Sequence, residues 1–442
     1  MNILLISPVP CENVRTKKEL MIPQLALYIL KGLTPLNHHV QIVEEEVSKI
    51  DLNYDCDLVG ISCMTANAPR AYELCEEFRN RGKIVILGGV HPTILPNEAL
   101  KHCNSVVIGE AEGVWKSLLN DFVKGELKSI YHQENPALDE YIPKDFSELL
   151  KKRLFNIIPI LTSRGCPYNC EFCCVSNLFG ERIRHIPIPN IIKDIRSSKA
   201  KNFIFLDDNI IGDLAYAKEL FKAIKPLRIN WVGQASIALL TQNEEILELA
   251  AQSGCKSLFI GLESVTEDKM KFLHKSFNEI NKLEDALNKI SKMGILIHAS
   301  IVFGFDTDTT EIFSKTTDFL IKNRVSTVSF NVLTPYPGTK VYEEFKKEDR
   351  LLTTDWKYYN HNTVVFYPKN MTPYELQYGK TYARKKFYRF NSLVKRFYKN
   401  SHNPFVYFLT NYGHRQQVKV ELKRITELKY DLFENIPSRI DN

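Results

Sequence analysis

Two successive series of short apolar runs, each separated from the next by a helical pattern, constrain this chain more than any other feature. In the first series Ile3-Leu4-Leu5-Ile6, Val40-Gln41-Ile42-Val43, Leu58-Val59-Gly60-Ile61, Ile84-Val85-Ile86-Leu87 and Val106-Val107-Ile108 alternate with helical patterns over 24–31 and through Tyr72 and Phe78. Unbroken β-branched runs suit strands buried on both faces, which means a parallel sheet covered by helices on either side. Residues 1–132 are therefore expected to form a doubly wound, Rossmann-like α/β domain. From 133 to 155 the periodicity fades around Pro136 and Pro143, which predicts a linker. A second series follows at 157–162, 203–206, 231–235, 258–261, 298–303 and 328–332, with helical patterns at 246–252, 280–293 and 312–322. Six strand-helix units over 156–345 predict a partial (β/α)6 barrel with its site at the carboxyl ends of the strands. Residues 346–442 are expected to form a mainly helical extension.

In a doubly wound sheet, ligands sit beyond the carboxyl ends of the strands, so the residues following each run are the candidates for binding. Here these are Ser7-Pro8, Ser62-Cys63-Met64-Thr65, Gly88-Gly89-Val90-His91 and Gly109-Glu110-Ala111-Glu112. Glycines admit close backbone approach, and small hydroxyl residues bond a polar ligand without filling a cleft. Ordinary strand-to-helix turns use the same residues, but four such loops together favour a ligand cleft.

The barrel series opens on a different kind of signal, Arg164-Gly165-Cys166-Pro167-Tyr168-Asn169-Cys170-Glu171-Phe172-Cys173-Cys174, directly after its first strand. Three thiolates at this spacing can wrap one 4Fe-4S cluster, each on a different iron, leaving the fourth iron without a protein ligand. A zinc site completed by Cys174 or His185 is the alternative, although structural zinc usually draws two separated ligand pairs. Cys174 reads as a packed small residue. The scattered Cys11, Cys56, Cys75, Cys103 and Cys255 read as buried thiols, and only Cys63 falls in a cleft loop.

Composition narrows the remaining options. Over 442 residues, 44% are hydrophobic and 25% charged, which excludes disorder and fibrous repeats. A net charge of +6 without zinc-finger spacing or an RNA-binding aromatic motif argues against nucleic acid as partner. The N-terminus has no basic region ahead of its short apolar run, and no apolar stretch is long enough to span a bilayer, so a cytoplasmic location is expected. Ten cysteines then suit a reducing compartment and thiolate ligation better than disulfides.

The cysteine loop, with Phe172 just before its last cysteine, resembles the signature of the radical S-adenosylmethionine (SAM) superfamily. The resemblance implies that Cys166, Cys170 and Cys173 hold the cluster and that its open iron binds SAM. Reductive cleavage would then yield a 5'-deoxyadenosyl radical that takes hydrogen from a substrate. It places SAM contacts at Phe172, at Asp207 and Asp208 after the second barrel strand, at Glu263 after the fourth, and at Ser300 on the fifth. Solvated turn or capping residues are the plainer reading of Asp207, Asp208 and Glu263. Trp231 reads as core and Gln234 as a polar contact.

Residues 3–131 resemble the N-terminal cobalamin-binding domains found in one subgroup of this superfamily. That likeness implies cobalamin contacts at Ser7, Ser62, Met64, Thr65, Gly88, Gly89, Val90, His91, Gly109 and Glu110. The Asp-x-His-x-x-Gly motif that supplies an axial histidine in methionine synthase and the mutases is absent from the sequence, so His91 is expected as a loop contact rather than a cobalt ligand. Residues 356–372 are similar to the segment after the barrel in hopanoid methylases. The subgroup implies methyl transfer to an unactivated carbon of a small molecule or lipid, with an electron donor such as flavodoxin or ferredoxin. A radical rearrangement, cyclisation or redox reaction without methyl transfer, and a non-catalytic iron-sulfur or zinc protein, stay open at this level. Finally, Phe387, Phe390, Val394 and Phe397 recur at helical spacing among Lys385, Lys386, Arg389, Lys395, Arg396 and Lys399. Such a basic amphipathic helix either packs on the barrel or meets an anionic membrane peripherally.

Overall fold

The computed structural model describes residues 1–10, 22–147, 157–265, 280–400 and 402–433. Its first sheet comprises β1 (Asn2–Ser7), β2 (His39–Glu44), β3 (Leu58–Ser62), β4 (Ile84–Gly88), β5 (Ser105–Gly109) and β6 (Ile130–Gln133), in the order β2-β1-β3-β4-β5-β6. Every pairing is parallel. The chain leaves β1 toward one side for β2 and the other for β3, and that reversal opens a crevice above their carboxyl ends. Ile3, Leu5, Leu58, Val59, Val85 and Val106 are each fully buried, as continuous apolar strands require when α1 (Leu25–Leu33), α2 (Ala68–Arg79) and α3 (Trp115–Lys124) cover both faces. β6 was not anticipated, because only Tyr131 of its four residues is buried.

The segment expected as a linker is packed rather than loose over its described part. Phe146 is buried against Tyr28 with ring centroids 4.7 Å apart. Lys144 pairs with Asp194 at 2.6 Å. Residues 148–155 lie outside the described residues.

The second sheet is a partial barrel of six parallel strands in chain order: β7 (Ile157–Ile160), β8 (Asn202–Phe205), β9 (Asn230–Gln234), β10 (Cys255–Glu263), β11 (Leu296–Phe303) and β12 (Thr327–Val332). Helices α4 (Ile188–Ser198), α5 (Leu214–Ile224), α6 (Glu244–Gln252), α7 (Ile280–Lys292) and α8 (Ile312–Lys322) form its outer layer. Trp231 is fully buried, stacks on Phe221 and donates its indole N–H to Ser253, as expected of a core residue.

An open barrel leaves β12 with an unpaired edge, and unmet backbone groups there would template association. The C-terminal α9 (Pro373–Phe387), α10 (Phe390–Phe397) and α11 (Pro404–Asp431) close it with side chains. Tyr388 accepts from the N–H of Val328 and donates to its carbonyl, Arg384 donates to the carbonyl of Phe330, and Arg396 to those of Val325 and Ser326. The expected single aromatic face over 387–397 does not form. Phe387 ends α9 fully buried, whereas Phe390 opens α10 and is 64% exposed, because the chain turns at Tyr388 and Arg389.

Three histidines line this closure and its continuation. His298 on β11 lies near His414 of α11, with ring centroids 5.6 Å apart, and His361 follows the barrel. Burial lowers the pKa of His298 and His361 to about 4 and that of His414 to about 3. The unfolded chain thus binds protons that the folded chain refuses. Stability is full above about pH 6.5 and is lost as the pH falls toward 4, by on the order of 3 kcal/mol for each imidazole. Thermal melts over that interval should show a falling midpoint, and His414→Gln should flatten the dependence by about one proton.

Candidate functional site

The cysteine loop leaves the carboxyl end of β7 and returns through a two-residue antiparallel pairing of Ser163–Arg164 with Arg184–His185. Asp207, at the end of β8, anchors its base. It is 2% exposed and accepts from the Thr162 hydroxyl and the Ser163 hydroxyl, both at 2.6 Å, and from the Thr162 N–H. Burial raises its pKa against these bonds. Asp207, expected as a SAM contact, is a scaffold for the loop and is not among the residues lining the cavity. Gly165 sits at φ +94°, and a Cβ there would lie 2.5 Å from the Arg182 carbonyl oxygen, so the turn into Cys166 requires glycine.

Above β8–β12 lies a cavity of about 470 Å³. Cys166, Cys170 and Cys173 line it from the loop, each partly exposed, together with Phe172. Burial raises the pKa of the Cys166 thiol and pushes that of Cys173 up to about 12. Cys174 is not among the lining residues and instead precedes the short helix Val175–Phe179. Among the described residues no three His, Cys, Asp or Glu side chains converge on the position of one metal ion. Three thiols spread along a cavity wall fit a larger inorganic group that meets each at a different atom.

The opposite wall brings together residues from four strand ends. Asp208, Glu263 and Ser300, the residues the resemblance assigns to SAM, line the cavity, and so does Gln234. Burial, reinforced by the neighbouring Asp207, raises the Asp208 pKa to about 6. Glu263 follows a register shift in β10 and takes φ +60°, an uncommon conformation for a residue with a side chain. Sequence reasoning missed Asn209, Ser329, Asn331 and His361, which also line it. The amide Nδ2 of Asn209 is buried without a partner among the described residues. Ser329 and Asn331 alternate along β12 opposite Ser300, with Asn331 donating to Ser300 at 3.1 Å, a period-two polar stripe that the sequence carries. His361 lies beyond the barrel and gives no local signal.

A second cavity of about 430 Å³ lies between the two domains. Ser7, Ser62, Met64, Gly88, Gly89, Val90, Gly109 and Glu110 line it from the first sheet. Leu161, Arg164, Leu178 and Leu206 line it from the barrel. Asp208 borders both cavities, so one side chain separates the two spaces. Thr65 and His91, also expected as cobalamin contacts, are not among its lining residues. His91 is fully buried, with Nδ1 against the Thr65 hydroxyl at 3.4 Å and Nε2 against Glu98 at 3.2 Å. Glu98 also accepts from Tyr72 and from the indole of Trp356, so this imidazole belongs to a packed junction between the first domain and the C-terminal region. With that histidine engaged by Thr65 and Glu98, the cleft presents glycines and small hydroxyls to whatever it holds.

The domains are also joined by charge. Arg164 bonds to Glu110 and Glu112, and Arg184 bonds to Glu110 and to the carbonyl of Pro136. Both carboxylates follow β5, and Arg164 precedes Cys166 by two residues, so the clamp links the cofactor cleft directly to the cysteine loop.

This combination of a thiol-bearing barrel mouth and an open sheet facing it defines a two-cofactor enzyme class, and the chain belongs to the radical SAM superfamily, in the cobalamin-dependent methyltransferase family. Residues 160–320 match the radical SAM superfamily and residues 21–119 the B12 binding domain. The cofactors of this family are a 4Fe-4S cluster, SAM and cobalamin. The bacteriochlorophyllide d C-12(1)-methyltransferase of Chlorobaculum tepidum is 35% identical over 351 residues, covering 77% of this chain and 76% of its own length. The C-8(2)-methyltransferase of the same organism is 30% identical, covering 90% of this chain and 92% of its own. The hopanoid C-2 methylase of Rhodopseudomonas palustris is 25% identical over 75% of this chain and 66% of its own. Among solved structures, the cobalamin-dependent SAM radical enzyme OxsB with aqua-cobalamin bound aligns with a TM-score of 0.69 at 16% identity, covering all of this chain and 82% of its own. Among the described residues no helix is long and apolar enough to cross a membrane.

Proposed function

We propose that this enzyme transfers a methyl group to an unactivated carbon of a polycyclic, largely apolar small molecule, of the tetrapyrrole or polycyclic lipid class. The observation that carries the reading is that Asp208 borders both cavities, which sets a thiol-lined space and a glycine-lined cleft side by side. Cys166, Cys170 and Cys173 would hold the cluster. Asp208, Glu263 and Ser300 would meet SAM, with the unpartnered amide of Asn209 beside them. Ser62, Gly88, Gly89 and Gly109 would receive the corrinoid. Bound there, cluster and SAM supply a radical that removes hydrogen from the substrate, and cobalamin supplies the methyl group.

The protein's own part is positional. Asp207 fixes the loop that carries the thiols, and the Arg164 clamp sets the cleft over the barrel mouth. Leu161, Leu178 and Leu206 line the junction with apolar surface, which keeps water from a reactive intermediate. The substrate classes follow the names of the relatives, bacteriochlorophyllide and hopanoid methylases, and the apolar wall of Phe259, Val302 and Leu333 suits either. A small-molecule substrate and an external reductant complete the partners, with flavodoxin or ferredoxin as the donor class.

Overall, each methyl group would consume two SAM and two electrons, and release one 5'-deoxyadenosine, one methionine and one S-adenosylhomocysteine. Protein reconstituted anaerobically with iron, sulfide and hydroxocobalamin, reduced with titanium citrate and given bacteriochlorophyllide d or a hopanoid, should form both nucleoside products and a substrate heavier by one CH2. Formation of 5'-deoxyadenosine with either substrate consumed but no S-adenosylhomocysteine would overturn methyl transfer and leave a radical rearrangement or redox reaction.

A further inference from the structure

No aspartate or glutamate lies between Glu375 and Glu421, a stretch that carries ten lysines and arginines. Part of that charge is used internally. Arg384 pairs with Glu421, Arg396 is buried against strand-entry carbonyls, and Lys386 pairs with Asp318. Lys385, Arg389 and Lys395 are exposed, with no carboxylate partner among the described residues.

Around them the two helices turn apolar side chains outward. On α10, Phe390, Val394 and Tyr398 just past its end are 64%, 58% and 79% exposed, at a spacing of four. On α11, Phe405, Phe408, Leu409 and Tyr412 are exposed at positions i, i+3, i+4 and i+7, one face of a helix. The opposite faces meet the protein: Leu393 and Arg396 of α10 are buried, as are Tyr407 and Asn411 of α11. The exposed stripes adjoin, with Phe397 and Phe408 ring centroids 4.9 Å apart. Two neighbouring helices thus present an apolar stripe rimmed by cations that have no carboxylate partner among the described residues, and a contiguous apolar patch marks an interaction surface.

We propose that the outward face of α10 and the first turns of α11 is a docking surface for an anionic lipid bilayer. Aromatic and aliphatic side chains enter the headgroup boundary while lysines and an arginine meet lipid phosphates. The cationic rim selects this occupant. A two-fold contact with a second copy would bring Lys385, Arg389 and Lys395 of both copies together without acidic partners. An acidic reductant docked here would be poorly placed, because the face lies at the end of the barrel where strands begin: Lys399 accepts from Ser291 and Arg396 bonds the residues entering β12. The cysteine loop is at the other end, across β11, whose eight residues span roughly 26 Å. The docked protein holds its cluster cavity away from the lipid, so docking localises the enzyme and is independent of which substrate it methylates.

Flotation of the full-length reconstituted protein with vesicles tests this. It should float with equal parts phosphatidylcholine and phosphatidylglycerol at low salt, remain in the dense fraction with phosphatidylcholine alone, and be released by high salt. The triple variant Phe390→Ser, Val394→Ser, Phe405→Ser should lose about ten-fold or more in partitioning. Lys395→Ala should lose about five-fold. Both variants should keep the thermal midpoint and the vesicle-free formation of 5'-deoxyadenosine. Failure to float with anionic vesicles, or undiminished flotation of the triple variant, overturns the proposal. So does self-association, or binding of a single-stranded RNA, that the triple variant abolishes while the parent does not float.

Discussion

Cys170→Ala should abolish reductive cleavage of SAM, lowering it by roughly 10³-fold or more, equivalent to about 4 kcal/mol of lost transition-state stabilisation. Each of the three cavity-lining thiols is expected to hold a different iron, so two thiolates leave a second iron without protein ligand and the cluster degrades or fails to assemble. Cys166→Ala and Cys173→Ala should behave alike. Cys174→Ala is the control: its thiol is not in the cavity wall, so iron and sulfide content, visible absorbance and 5'-deoxyadenosine formation should stay near the parent values. Measured anaerobically after identical reconstitution, a cluster lost in Cys174→Ala but kept in Cys170→Ala would overturn the ligand assignment.

Arg164→Met should separate the two halves of the reaction. Its guanidinium is 12% exposed between Glu110 and Glu112, whose side chains are 4% and 13% exposed. Removing one partner of a buried pair costs about 3–5 kcal/mol, because a buried charge is left uncompensated. Arg184 still bonds Glu110, so the loss falls mainly on Glu112 and should lie at the lower end of that range. The larger effect concerns positioning. A misplacement of about 1 Å between reacting groups costs roughly 10²-fold, and this clamp ties the cofactor cleft to the residue two places before Cys166. Methylated product should therefore fall far more than 5'-deoxyadenosine, raising their ratio well above one nucleoside per methyl group. Glu112→Gln should raise it in the same direction. Equal loss of both products in Arg164→Met would instead assign the arginine to the folding of the cysteine loop alone.

Four features were not legible in the sequence, each for its own physical reason. β6 was invisible because an edge strand with one buried residue carries no apolar run. Phe387 and Phe390 obey a helical spacing, yet a turn at Tyr388 and Arg389 sends them to opposite environments. Asp207 sits in the right stretch at the right strand end, but its neighbour Asp208 faces the cavity while Asp207 receives the hydroxyls of Thr162 and Ser163. Both aspartates lie just past the end of β8, where the course of the turn rather than a strand period sets which of them faces the cavity. His91 follows the glycine pair as a cleft residue would, yet Glu98 and Trp356 hold it in a junction formed by residues far apart in the chain.

Apolar runs and their spacing were sufficient to mark every strand of the two sheets except β6, and several of their helices, because burial on two faces leaves a parallel strand little choice of side chain. Cysteine spacing alone, being local and rigid in its chemistry, marked the thiol loop. Tertiary structure decided what depends on separated segments meeting. It set the two cavities on either side of Asp208, clamped Arg164 onto Glu110 and Glu112, and capped the free edge of β12 with Tyr388, Arg384 and Arg396. It also turned the stripes of α10 and α11 outward. These contacts join residues tens to hundreds of positions apart, and no local period in the chain records such a distance.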